Sequence, residues 1–79
     1  MNTEEGPEEH RPGSFVAHTG TDTYGPGKVL SVEGELRRVR FVHFVATIRA
    51  RDLREANERE AVMIRTWLRE KAARYGGVW

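Results

Sequence analysis

The sequence predicts a mainly β, α+β domain: a small antiparallel barrel of four to five strands followed by one long amphipathic helix. Three observations carry that reading. Short β-prone runs separated by glycine-containing breaks fill residues 14–51. One of these runs, Leu36 to Phe41, alternates apolar and basic residues with the two-residue period of a strand. Residues 52–75 then hold neither Gly nor Pro and repeat apolar side chains at helical spacing.

Residues 1–13 are expected to be a disordered acidic tail. They combine four Glu with Gly6, Pro7, Pro12 and Gly13, and offer almost no apolar surface to offset the entropy of ordering. From Ser14 the pattern changes. Phe15 to His18 reads as a first strand, Thr19 to Thr23 as a loop, and Tyr24-Gly25-Pro26-Gly27 as a sharp bend permitted by its two glycines. Lys28 to Val32 makes a second strand, and Glu33-Gly34-Glu35 a tight connection. In the third strand Val39 and Phe41 face inward while Arg38 and Arg40 face water. After His43-Phe44, the run Val45 to Ala50 resumes β character with Ile48 inward.

A helix over 52–75 follows, with Asp52 as its cap, Glu55 three positions later completing a box, and Gly76-Gly77 stopping it ahead of a short tail, 76–79. Leu53, Met63, Ile64, Trp67, Leu68 and Tyr75 fall on one half of the cylinder. A helix of this length spans about 35 Å, more than a small barrel is wide. Its second half, with Trp67, Leu68 and Tyr75, is therefore expected to pack against another chain, either a second copy or a protein partner.

Charge is uneven along the chain. The first 13 residues carry a net −3, whereas residues 14–50 and 51–79 carry +2 each. A body so mildly basic predicts only weak, salt-sensitive attraction to phosphates. With 79 residues and no cysteine, the chain has room for one domain held by packing alone. The acidic start has no apolar run behind it and no segment approaches a membrane span, so a cytosolic location is expected.

The run His18, Tyr24-Gly25-Pro26-Gly27-Lys28-Val29, Val32-Glu33-Gly34, Val39-Arg40-Phe41 and Leu53 resembles the small bacterial SH3/Tudor-like domains. Their pattern is V-x-H, G-x-G-x-V, V-x-G, V-x-F and a closing L. Such domains stand alone or at the C-terminus of UvrD/PcrA-type helicases, and more distantly resemble the RNA-polymerase-interacting domains of CarD. The resemblance covers about residues 15–53. It implies Val29, Val39, Phe41 and Ile48 in the core, and partner binding by an exposed strand edge, here on the strands carrying Arg38, Arg40 and Arg49. The family's usual Gly or polar residue in the third turn is replaced by His43-Phe44, which makes Phe44 an exposed aromatic.

No enzymatic constellation is legible. His10, His18 and His43 are scattered without Cys, Ser or paired carboxylates at motif spacing, and no metal ligand set or cofactor is expected. The Gly25-Pro26-Gly27 loop lacks the Lys-Ser/Thr ending of a phosphate cradle and reads as a structural turn. An aromatic cage built from Phe15, Tyr24, Phe41 and Phe44 is disfavoured because Phe15 and Phe41 are needed inside.

The expected function is a non-enzymatic protein-binding adaptor for bacterial or phage transcription or repair machinery, with RNA polymerase contact by analogy. It would use Arg38, Arg40, Phe44, Arg49, Met63, Trp67, Leu68, Tyr75 and Trp79. Tryptophan, enriched at the energetic centres of interfaces, makes Trp79 a docked plug or a protruding anchor. One alternative is nucleic-acid binding through Lys28, Arg37, Arg38, Arg40 and Arg49; another is a small phage structural or host-takeover protein.

Overall fold

Alternation along the chain is realised as five strands and one helix in the computed structural model, which describes residues 9–79. The strands are β1 (Phe15–His18), β2 (Pro26–Glu33), β3 (Leu36–Phe41), β4 (Val45–Arg49) and β5 (Leu53–Glu55). A single 3₁₀ turn, Ala50–Asp52, links β4 to β5, and helix α1 spans Glu58–Tyr75. All strand pairings are antiparallel, in the order β4-β3-β2-β1-β5. The sheet does not close, because its edge strands β4 and β5 are not paired with each other.

The expected helix start at Asp52 is corrected. Leu53 is buried in the core, and Leu53–Glu55 pair with β1 in the register His18 to Leu53 and Val16 to Glu55. Burying Leu53 beside β1 outweighs the local capping signal at Asp52, so the helix begins six residues later. Asn57 is its cap: Oδ1 accepts from the Glu60 N–H at 2.8 Å, while the Asn57 N–H donates to Glu60 Oε1 at 2.9 Å.

Val16, Val29, Val39, Phe41, Ile48 and Leu53 form the core cluster on one side of the sheet. Ala17, next to Val16, must point to the other side, yet it is buried as well. Helix α1 explains this: it packs across β1 and β2, burying Ile64 and Leu68. The expectation that Leu68 serves a partner is therefore corrected, since its side chain goes into the molecule's own packing. Apolar surface left over on α1 lies instead at Val62, Met63 and Tyr75.

Arg37 is a second departure. It shares the inward phase of Val39 and Phe41 and is fully buried. Its guanidinium donates to the carbonyls of Glu9, His10, Gly34 and Leu36 at 2.7–3.2 Å. The described end of the N-terminal segment is thereby tied down: Gly13 N–H donates to Val29 O, and His10 Nε2 lies 3.2 Å from Leu53 O. Residues 9–13 thus bridge β3 and β5 and belong with the folded domain; the rest of the predicted tail, 1–8, lies outside the described residues.

Candidate functional site: the open strand edge and the basic face

β4 ends the sheet on one side. Its bonding phase follows from the bonds that bracket it, Phe41 N–H to Phe44 O and Ala50 N–H to Glu35 O, both at 2.8 Å. Ladder parity then directs the backbone groups of Ala46 and Ile48 toward β3, and those of Val45, Thr47 and Arg49 away from it. Among the described residues no strand lies beside that edge. It carries neither Pro nor Lys, the residues that commonly blunt an edge.

The side chains around this edge are exposed. Arg38, Thr47 and Arg49 face solvent, with Arg38 opposite Thr47 and Leu36 opposite Arg49. At the far end the chain does reverse between β3 and β4, leaving Phe44 40% exposed. Phe44 is nevertheless held in place. Its ring meets Tyr24 at 5.0 Å and buried Phe41 at 5.2 Å, and Tyr24 meets His18 at 5.1 Å. These rings pack edge to face or tilted against one another, so they support one exposed aromatic and do not form an open cage.

The remaining predicted residues gather elsewhere. Lys28 and Arg40 lie on the helix side of the sheet, where they meet Trp79. Trp67 is half-buried, with its ring 6.3 Å from that of Trp79, and Lys71 lies over the rings of Trp67 and Tyr75. Met63 stands apart, in a groove with Ala17, Pro26, Arg54 and Glu60. Of the five cations proposed for phosphate contact, Lys28, Arg38, Arg40 and Arg49 share the helix-side face of the sheet by strand alternation, and Arg37 lies on the other. Arg37 is buried against carbonyls, Lys28 and Arg40 are engaged by Trp79, and Arg38 and Arg49 face water.

Sequence reasoning missed Thr47 and Lys71. Thr47 was legible only as an outward strand residue, because nothing local reveals that its strand is the last one. Lys71 had the weak signal of standing four residues from both Trp67 and Tyr75 on a helix.

Arg54 and Glu60 form a bidentate ion pair, with both N–O distances 2.8 Å. The Arg54 hydrogen bonds, then the Asn57 N–H, hold the Glu60 carboxyl down at about 2. This pair joins β5 to the first turn of α1. No group of three His, Cys, Asp or Glu able to hold a metal occurs among the described residues. No described helix is long and apolar enough to cross a membrane. Comparison with protein-family models, curated proteins and solved structures returned no match.

Proposed function

We propose that this chain is a non-enzymatic protein-binding module that accepts an extended segment of a partner along β4. The observation that carries the proposal is the open edge, where the outward N–H and C=O groups of Val45, Thr47 and Arg49 repeat at the two-residue spacing of an added strand. Main-chain bonds supply affinity in such pairing, and flanking side chains supply selectivity. Here Arg38 and Arg49 select for carboxylates on alternate partner residues, and Phe44 for an apolar residue at one end.

Support for the SH3/Tudor-like reading comes from the order β4-β3-β2-β1-β5, in which the last strand returns beside the first. On that reading the partner is a bacterial transcription or repair factor met in the cytosol, with RNA polymerase the first to try. Nucleic acid ranks below a protein partner, because three of the five cations that reading needs are occupied or buried.

Thr47→Pro tests the edge directly. The Thr47 N–H points outward, so proline there removes a donor from the open edge and none from the β3 ladder. Displayed peptides selected on the wild-type protein should be acidic on alternate residues and should lose at least about tenfold in affinity for Thr47→Pro. The variant should keep its melting temperature. Selected peptides that bind Thr47→Pro as tightly as wild type would overturn the assignment.

A further inference from the structure

Lys28 and Arg40 stand directly opposite each other on β2 and β3. Like charges so placed destabilise a sheet unless something answers them. Both close on one residue, Trp79. Lys28 Nζ donates to the main-chain oxygen of Trp79 at 2.6 Å, and the Arg40 guanidinium lies over the indole, 5.0 Å from its centroid. On the ring's other flanks stand Trp67 at 6.3 Å and Tyr75 at 6.1 Å.

The tail that delivers Trp79 is short and is held at its last residue. Gly76 and Gly77 both take the left-handed φ that turns the chain back from the helix. Val78 is 96% exposed, so the anchoring falls to Trp79, through its main-chain oxygen on Lys28 and its ring beneath Arg40, while its indole N–H donates back to Gly76 O at 2.8 Å. The seat is also incompletely satisfied: Arg40 Nε is buried without a hydrogen-bond partner among the described residues. An N–H left so costs free energy that an incoming acceptor recovers. Two cations, one unused donor and an aromatic wall together describe a ligand with a π face and a negative oxygen beside it.

We propose that Lys28, Arg40 and Trp67 form a second binding site, for a peptide segment that presents an aromatic side chain next to a carboxylate, and that Trp79 fills this site in cis. The site shares no residue with the β4 edge and stands or falls separately from the strand-addition reading. A carboxylate seated between the two cations would answer both and offer an acceptor to Arg40 Nε, whereas the contact with the Trp79 main-chain oxygen engages Lys28. The tether favours the resident tail, because a short flexible linker holds its end at a millimolar effective concentration. A ligand in trans therefore competes only when it binds better than the tail or when the tail is displaced.

The probe is N-acetyl-tryptophan, which carries an indole and a carboxylate, titrated into ¹⁵N-labelled protein and followed by NMR. In Trp79→Ala the backbone signals of Lys28, Arg40 and Trp67 and the Arg40 Nε–H signal should shift saturably. Wild type should bind roughly tenfold more weakly, because its own tail competes. N-acetyl-tryptophan amide should bind less tightly than the acid, and Lys28→Gln or Arg40→Gln in the Trp79→Ala background should abolish the shifts. Thr47→Pro in that background should leave them intact. Should Trp79→Ala lower the melting temperature, Trp79→Leu, which keeps apolar bulk against Trp67, takes its place. The site is refuted by any of three results: no saturable shift at those residues, equal affinity of wild type and variant, or no loss on replacing the acid by the amide.

Discussion

A methyl group at Gly27 would collide with three atoms of β3. Its Cβ would lie 2.7 Å from Val39 Cγ1, 2.8 Å from the Arg40 carbonyl oxygen and 2.9 Å from Phe41 Cδ1. The backbone oxygen cannot swing aside as a side chain can, so relief requires β2 and β3 to separate. Gly27→Ala is therefore expected to destabilise the protein by about 1–3 kcal/mol, read as a lower urea midpoint with an unchanged slope. A loss under about 0.5 kcal/mol, the scatter of ordinary surface substitutions, would show that the strands part easily. Gly25 is different: φ of 70° is what makes it a turn residue, and open space surrounds its missing side chain. Sequence alone treats Gly25 and Gly27 as one bend, since it shows two permissive residues and not the neighbour that needs one of them absent. Arg37 was better signposted. It stands two and four residues before Val39 and Phe41 and so shares their inward phase, but an arginine on a strand is ordinarily solvated, and no local feature discloses the carbonyls waiting for it.

At the scale of elements, four strands and the helix stop at Gly76 were legible because each rests on a local pattern. The helix start was not, because the sequence offers the same signal twice. Asp52 with Glu55 and Asn57 with Glu60 are both a capping residue followed three positions later by Glu. Only pairing between residues far apart, β5 against β1, decides between them. The open edge was illegible for a similar reason: a strand's rank in a sheet is not written in the strand. Glu60 links the two elements that the choice created, accepting from Arg54 on β5 and from the Asn57 N–H at the helix start. Its carboxyl titrates at about 2 in the folded chain, against an ordinary 4.5. Depression of a folded-state acid means that the unfolded chain takes up the proton first. The contribution is therefore complete above about 4.5 and declines as pH falls toward 2. Both side chains reach solvent, so the effect is modest and screened by salt. Melting temperatures of wild type and Glu60→Gln should differ at neutral pH and converge as pH drops through that window. A gap that persists unchanged at the acid end would assign the role of Glu60 to packing instead of charge.

For the whole molecule, the decisive feature is that β1 and β2 are covered on both sides. Val16 points into the core cluster and its neighbour Ala17 toward α1. The helix in turn has Ile64 and Leu68 as its buried residues, and a helix in a protein draws most of its stability from packing such a face against its neighbours. Sheet and helix should therefore fold as one cooperative unit, without an independently stable sheet. Domains of this length have total stabilities on the order of 4–12 kcal/mol. Ile64→Ala, at a fully buried position on the face toward β1 and β2, should remove about 2–5 kcal/mol, enough to populate the unfolded chain visibly. Hydrogen exchange separates the two outcomes. If the unit is cooperative, amide protection in β1, β2 and β3 falls in step with that of α1, because losing the helix leaves Ala17 and Pro26 facing water and frees the like-charged pair Lys28 and Arg40 from the packing around Trp79. If α1 loses protection while the sheet keeps its own, the helix is an attachment to a self-sufficient sheet, and the burial of Ala17 adds little to the fold.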